Sequence, residues 1–121
     1  MTATRVTIRF DFADGQRLGP GKIALLEALA ATGSIAAAGR QHGMAYRRAW
    51  LLVDEMNRMF KQPVVIARGG GKAGGGAALT DFGARLVAHY RDAEGKAAGV
   101  AQTAVGLFEA ELATQAQPGM T

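Results

Sequence analysis

Basic side chains are concentrated in one segment of this 121-residue chain, between positions 40 and 72. The seven are Arg40, Arg47, Arg48, Arg58, Lys61, Arg68 and Lys72. Only Asp54 and Glu55 oppose them, so the segment carries +5 while the whole chain carries +4. Charge gathered in this way suits a polyanion, because each phosphate that Lys or Arg neutralises releases condensed counterions. The alternative, a solvated surface without a partner, would be favoured if charge were the only signal.

A glycine-rich run from Arg68 to Gly76 surrounds Lys72 with six glycines. It contains a G-x-G-x-x-G match, but a dinucleotide site also needs a following βαβ unit and an acidic residue about 20 positions further on. The P-loop pattern fails as well, because Ala73 follows Lys72 where a hydroxyl residue is required. The run is better explained as a loop tip that, lacking side-chain bulk, can approach a phosphate backbone closely.

Residues for catalysis or metal binding are few. The sequence has no cysteine, which excludes disulfides, thiolate zinc sites and cysteine nucleophiles. Its two histidines, His42 and His89, lie far apart, and neither stands beside a suitable nucleophile or carboxylate in the sequence. No H-E-x-x-H motif and no suggestive carboxylate pair occurs. We therefore expect no enzyme, no catalytic residue, no metal site and no cofactor.

The elements that must position the basic residues begin with a strand and a helix. Residues Arg5 to Phe12 alternate strictly between polar and apolar types, which predicts a strand with one buried face. The apolar members are Val6, Ile8, Phe10 and Phe12. Pro20 opens the first helix, where its missing N–H costs nothing, and Gly33 ends it.

Two short helices joined by a tight turn follow, between Gly33 and Asn57. Ser34 is a good N-cap for the second helix, and Gly43 supplies the turn with a positive φ. The third helix is expected from Ala45 to Phe60, because apolar residues recur along it every three or four positions. These are Ala49, Leu52, Val53, Met56 and Phe60. Trp50 is interpreted as a core anchor rather than as a side chain that stacks on a base.

The residues expected to contact DNA are Ser34, Ala45, Tyr46, Arg47, Arg48, Arg68 and Lys72. Four of them, from Ala45 to Arg48, lie at the N-terminal end of the third helix, where recognition helices present side chains to base edges and phosphates. Arg68 and Lys72 belong to a short hairpin whose tip is the glycine-rich run. Its two strands are expected over Val64 to Ala67 and Ala77 to Leu79. The two basic side chains would contact phosphate or the minor groove.

One long helix is expected from Asp81 to about Ala113, capped by Thr80. Apolar residues recur along it at alternating spacings of four and three, as in a coiled coil. These predicted dimerisation residues are Leu86, Tyr90, Ala93, Ala97, Val100, Ala104 and Leu107. A three-helix winged domain has too little surface to cover the distal half of this helix, so a partner chain is favoured over packing within the domain.

Length and composition bound the fold to one compact domain. No apolar run has the length of a signal peptide or a membrane span, so a cytoplasmic protein without a membrane partner is expected. The patterns predict a mainly α fold with a small β hairpin. It consists of a winged helix-turn-helix over residues 1–80, a long C-terminal dimerisation helix over 81–113 and a frayed tail over 114–121.

A resemblance to a known family is carried by GSIAAAGRQHGMAYRRAWLLVDEMN and the following GGGKAGGGAALTDFGARL. Together they resemble the N-terminal winged helix-turn-helix domain of ModE-type molybdate-responsive transcription regulators, to which the amino-terminal domain of the LysR family is related. The resemblance covers about Leu18 to Tyr90, and the pairing of AWLLVDEMN with GGGAALT is its specific part. It implies a homodimer, joined through the long C-terminal helix and bound to a palindromic operator.

Two features depart from the family pattern. Ala45 stands where the family usually has a serine that opens the recognition helix, so one cap and a candidate phosphate contact are missing. Family members that sense molybdate also carry C-terminal oxyanion-binding domains, whereas this chain ends at Thr121, directly after the linker helix. A molybdate response is therefore not carried over from the family.

The sequence thus predicts a sequence-specific, double-stranded DNA-binding transcription regulator that acts as a homodimer, with residues 45–50 in the major groove. The alternative is an interaction protein that heterodimerises through its long helix with a full-length ModE-type relative and modulates it. Exposed apolar positions along Ala93 to Leu107 favour this alternative, and homodimerisation in isolation would count against it as the sole role. Oxyanion storage or small-molecule binding, a third possibility, rests on family association only.

Overall fold

Five α-helices and two antiparallel hairpins make up the part of the chain that the computed structural model describes, residues 3–69 and 76–113. In chain order they are β1 (Phe10–Asp11), β2 (Arg17–Leu18), α1 (Pro20–Thr32), α2 (Ile35–Gln41), α3 (Tyr46–Met59), β3 (Val65–Arg68), β4 (Gly76–Leu79), α4 (Asp81–Val100) and α5 (Gln102–Glu111). Strand β1 pairs with β2, and β3 pairs with β4. The fold is mainly α, as the sequence predicts, with two small hairpins where the sequence analysis expects one.

Helix α1 is the centre of the core. Its Ile23, Leu26 and Leu29 are fully buried. Pro20 occupies the first turn, and Gly33 ends the helix in the left-handed conformation (φ +72°), with its N–H donating to the Leu29 carbonyl. Helices α2, α3 and α4 and strand β4 all pack against α1. This helix therefore sets the relative positions of the elements that follow.

A tight turn at Gly43 joins α2 to α3. Its φ of +65° lies in the left-handed region that favours glycine, which confirms the expectation from the sequence. Ser34 caps α2, since its hydroxyl accepts from the Ala37 N–H at 3.1 Å. Gly39 lies so close to α3 that a Cβ atom there would be 2.9 Å from the Cβ of Ala49. This close approach fixes the position of α3 against α2.

The β3–β4 hairpin is attached to α3 by the side chain of Asn57. Its Oδ1 accepts from the N–H groups of Val64 (2.8 Å) and Val65 (3.0 Å), and its Nδ2 donates to the Val65 carbonyl. On the other strand, the Ala77 N–H donates to the Gly33 carbonyl at 2.9 Å. The hairpin is thus held between α3 and the end of α1.

Helix α4 packs behind the hairpin. Thr80 caps it, as predicted, by accepting from the Gly83 N–H at 2.9 Å. A Cβ atom at Gly83 would be 2.2 Å from the Val64 carbonyl oxygen, so only glycine fits there. Arg91 pairs with Glu27 of α1 at 2.6 Å, and its guanidinium holds the pKa of the Glu27 carboxyl below its usual range. These contacts join α4 to both α1 and the hairpin.

The strand predicted over Arg5 to Phe12 is reduced to the two residues of β1, because β2 offers only two residues with which it can pair. Its predicted buried face is also divided. Val6 and Ile8 are half-buried, whereas Phe10 and Phe12 are 41% and 38% exposed. The alternation therefore describes an extended segment that lies on the core without forming a full strand.

The helix predicted over Asp81 to Ala113 is interrupted at Ala101, so α4 and α5 are separate helices. Gly99 precedes the interruption, and glycine is about 1 kcal/mol less favourable than alanine in a helix interior. The tail predicted over 114–121 lies outside the described residues, as do positions 70–75 of the glycine-rich tip.

Candidate nucleic-acid interface

The first turn of α3 displays the side chains expected to contact DNA. Tyr46, Arg47 and Arg48 are all exposed, and Tyr46 retains 57% of its accessible surface. They face outward because α3 buries a different stripe in the core, namely Ala49, Val53 and Met56. Ala45 occupies the N-cap position and makes no side-chain hydrogen bond, as its departure from the family pattern implies. The N-terminal end of α3 is therefore open to a ligand.

Arg47 and Arg48 are the cations that remain available on this part of α3. Asp54 is paired with Arg58 at 2.8 Å, and Glu55 is paired with a lysine of α1. Within residues 3–69 and 76–113, neither Arg47 nor Arg48 takes part in an ion pair. The two acidic side chains of the basic segment thus leave both guanidinium groups free to meet an anion.

Trp50 does not anchor the core, contrary to the sequence-based prediction. Its side chain is 44% exposed. Each residue of an α-helix turns about 100° around the axis, which places Trp50 to one side of the face that buries Ala49 and Val53. The sequence contains the signal for this, because the apolar stripe expected for α3 omits position 50. The structure therefore adds Trp50 to the candidate interface.

An open groove of about 510 Å³ lies between α3 and the β3–β4 hairpin, and it is termed the α3–hairpin groove. Residues from α3, from β3 and from the start of α2 line it, including Ser34, Tyr46, Trp50, Asp54, Ile66 and Ala67. Tyr46, Trp50 and Ile66 are large side chains that remain exposed. The groove thus combines exposed apolar side chains with polar ones, and Tyr46 joins it to the first turn of α3.

Arg68 lies beside Gly33, the residue that precedes Ser34 at the start of α2. Arg68 is exposed at the end of β3, and a Cβ atom at Gly33 would be 3.4 Å from its Nη1. The Ser34 hydroxyl already accepts a hydrogen bond from the α2 backbone, so it caps that helix. Lys72 lies outside the described residues. Of the predicted hairpin contacts, Arg68 is the one that the structure positions.

The predicted dimerisation residues fall into three groups. Leu86 and Tyr90 pack in the chain's own core, where Tyr90 is 3% exposed and its hydroxyl donates to the Ile8 carbonyl. The half-buried members are Ala93, Ala97 and Ala104. Val100 and Leu107 are 85% and 66% exposed. The apolar surface that could meet a partner therefore lies toward α5 rather than along all of α4.

Acidic and imidazole side chains are dispersed over the described part of the chain. Among residues 3–69 and 76–113, no three or more His, Cys, Asp or Glu side chains are grouped so that they could hold a metal ion. In the same ranges, no helix has the length and apolar character needed to cross a membrane.

Comparison with known proteins finds relatives over most of the chain, although no family model matches it. The chain is 50% identical over 98 residues to the molybdenum-pterin-binding protein MopB of Rhodobacter capsulatus, covering 81% of this chain and 35% of MopB. It is 43% identical over 96 residues to the molybdenum transport protein ModE of Azotobacter vinelandii, covering 78% and 36%. It is 41% identical over 71 residues to the DNA-binding transcriptional dual regulator ModE of Escherichia coli K12, covering 59% and 27%.

These relatives are named for molybdenum-pterin binding, molybdenum transport and transcriptional regulation, and none of the three names is that of an enzyme. The chain spans about a third of the length of the first two. The similarity to ModE-type proteins that the sequence motifs indicate is therefore confirmed. The chain is homologous to a part of the ModE and Mop proteins.

Proposed function

We propose that the chain is a sequence-specific, double-stranded DNA-binding transcription regulator that acts as a homodimer. In this proposal α2 and α3 form a helix-turn-helix and β3–β4 is the wing, so residues 1–80 are a winged helix-turn-helix domain followed by dimerisation helices over 81–113. The observation that carries the proposal is the exposed, cationic first turn of α3 beside the α3–hairpin groove. The role named for the Escherichia coli relative supports the same function.

The N-terminal end of α3 would enter the major groove, which is wide enough for an α-helix. A guanidinium group bonds bidentately to O6 and N7 of guanine, or to a phosphate. Arg47 and Arg48 are exposed and have no ion-pair partner among the described residues, so no salt bridge must break before they bind. Tyr46 would add a hydroxyl group and a ring beside them.

The hairpin would supply the second contact with the duplex. Because Asn57 and Gly33 hold its base, its position relative to α3 does not depend on DNA. Arg68 and Lys72 would meet the backbone or the minor groove from this hairpin. Contacts of that kind position a protein on DNA without reading its sequence. The sequence would then be read mainly by α3.

Selection from random double-stranded DNA, followed by sequencing, tests this function. We expect an inverted repeat with half-sites one or more helical turns apart, because the operator mirrors the two-fold symmetry of a dimer. The matched control is the same selection with an Arg47→Ala/Arg48→Ala double variant, which should enrich this repeat far less. Weak, salt-sensitive binding of the wild-type chain without any enriched sequence would refute a sequence-specific regulator.

A second candidate function is that of an interaction protein that pairs with a full-length ModE-type relative and modulates it. Helix α5 favours it by presenting apolar side chains to solvent: Leu107 and Phe108, followed by Leu112. Mixing the two chains and measuring the masses of the complexes distinguishes the candidates. Heterodimers that replace homodimers would support modulation, whereas a homodimer that exchanges no subunits would contradict it.

A further inference from the structure

Trp50 keeps a large accessible surface in the folded chain, although just over half of the residue is buried. It is the single tryptophan of the sequence, and its side chain is 44% exposed. The core cluster includes its neighbours Ala49 and Val53 on α3 but not Trp50 itself. A large indole that remains partly exposed on α3 leaves apolar area for a ligand.

Other large side chains line the α3–hairpin groove beside Trp50. Tyr46 lies one helical turn before it and is 57% exposed, and Ile66 lies on β3 and is 50% exposed. Arg47, at the same end of α3, is exposed as well. Trp50 lies one turn after Tyr46 on the same side of α3, so a duplex that takes the N-terminal end of α3 into its major groove would also meet Trp50.

The part of DNA that suits Trp50 is a base edge rather than a phosphate. An indole offers a phosphate one N–H donor but no positive charge, and Asp54 lies one turn further along the same groove. Although Arg58 pairs with this carboxylate at 2.8 Å, the pair offers a phosphate no net attraction. Among the base pairs, only those with thymine present an apolar group in the major groove, the C5-methyl.

We propose that Trp50 is a specificity-determining residue that contacts the C5-methyl group of a thymine in the major groove. Each half-site then contains one A·T pair whose thymine methyl is required at the position facing Trp50. This inference rests on the proposed function, since it needs α3 to enter the major groove. It adds an apolar contact to the polar contacts of Arg47 and Arg48.

Replacing thymine with deoxyuridine tests the contact, because it removes the methyl group and preserves base pairing. Each thymine of the selected operator is replaced in turn, in both half-sites, and the affinity is measured at one salt concentration. We expect one position at which binding weakens about four-fold for each half-site, the effect of burying one methyl-sized group. With Trp50→Ala, the same replacement should leave the affinity unchanged.

Leu51→Ala is the matched control, because Leu51 is the adjacent exposed apolar side chain on α3. This variant should keep the deoxyuridine effect. The inference is overturned if the effect persists in Trp50→Ala, if it disappears in Leu51→Ala, or if no thymine position responds. If the selection still enriches an operator in any of these three cases, the proposed function stands and only the thymine contact is excluded. A selection without any enriched operator contradicts that function and the thymine contact together.

The fluorescence of Trp50 provides an independent measurement, since no other tryptophan contributes to it. Saturation with the operator should change its emission, and an operator with deoxyuridine at the identified position should change it less. Emission that is the same with and without saturating operator would contradict the contact. Just over half of Trp50 is buried, so Trp50→Ala should unfold at a lower temperature than the wild-type chain. A native far-UV circular dichroism spectrum and a melting temperature above that of the titrations separate lost binding from lost folding.

Discussion

Arg47 and Arg48 carry the most direct prediction at the scale of single residues. Arg47→Ala and Arg48→Ala should each weaken operator binding, because each removes an exposed guanidinium from the first turn of α3. A lost bidentate base contact costs about 1–3 kcal/mol. A lost phosphate contact instead weakens binding to all sequences and lowers the slope of log K against log salt by about 0.9. Titrations of the operator and a scrambled duplex at several salt concentrations distinguish these cases.

The control for these variants is Arg5→Ala, which removes an exposed arginine from the N-terminal segment, outside α3 and the hairpin. It should bind the operator almost as the wild-type chain does. If both α3 variants also bind with unchanged affinity and an unchanged salt dependence, the first turn of α3 does not contact DNA.

A second prediction for a single residue concerns Ala45 and the stability of the fold. Ala45 is the N-cap of α3 and has no side-chain hydrogen bond, so an N–H of the first turn lacks a cap. Ala45→Ser should raise the free energy of unfolding by about 0.5–2 kcal/mol, measured by urea denaturation. Ala88→Ser, at an exposed position inside α4, is the control and should lower it slightly. Equal effects of the two serines would exclude a capping origin.

Single residues also mark a limit of prediction from the sequence. The periodic pattern of α3 correctly identified Ala49, Val53 and Met56 as buried, because burial follows helical spacing. For Trp50 the residue type predicts a core position, whereas the helical spacing does not, and the prediction from residue type is wrong. The position of Asn57 was not predicted at all, since its bonds to Val64 and Val65 depend on how α3 and the hairpin meet.

At the scale of elements, Gly83 determines how closely α4 approaches the hairpin. Gly83→Ala should destabilise the fold by about 1–3 kcal/mol, because the added Cβ would lie 2.2 Å from the Val64 carbonyl oxygen and force backbone shifts. Gly95→Ala is the matched control in the same helix, where a Cβ atom meets nothing within 4 Å. It should stabilise by about 1 kcal/mol. Thermal unfolding of the two variants should therefore shift in opposite directions, and a shift in the same direction would refute the close contact.

Elements that begin or end at a single residue with a special backbone conformation form where the sequence predicts them. Gly33 ends α1, and Gly43 forms the turn before α3, because positive φ is a property of single positions. Elements that depend on pairing agree less well. The segment from Arg5 to Phe12 alternates like a strand but forms only a two-residue ladder, since strand length also depends on the partner. The interruption at Ala101 was likewise not indicated by the coiled-coil period.

At the scale of the whole molecule, the candidate interface consists of elements that are fixed before any ligand binds. Helix α1 packs against α2, α3 and α4, and the end of α1 also holds β4 through the Gly33 carbonyl. Asn57 holds β3 from the opposite side. The α3–hairpin groove therefore has a defined width, and binding DNA would not require these elements to be ordered first.

Helix α5 provides a test of the proposed homodimer. Leu107 and Phe108 are 66% and 67% exposed, which is unfavourable for a surface without a partner. We expect Leu107→Asp/Phe108→Asp to convert a homodimer into a monomer of 12.6 kDa, measured by sedimentation equilibrium. Thr103→Asp, at an exposed polar position of α5, is the control and should remain dimeric.

Operator binding shows whether this dimer is the functional form. Two linked half-sites bind more tightly than one, by a factor on the order of 10²–10⁴, because the second contact is intramolecular. The monomeric variant should lose that factor on the inverted repeat, while its affinity for an isolated half-site stays near the wild-type value, since α3 is unchanged. A variant that stays dimeric would exclude α5 as the interface. A monomer that binds the inverted repeat as tightly as the wild-type chain would refute the dimeric mode of binding.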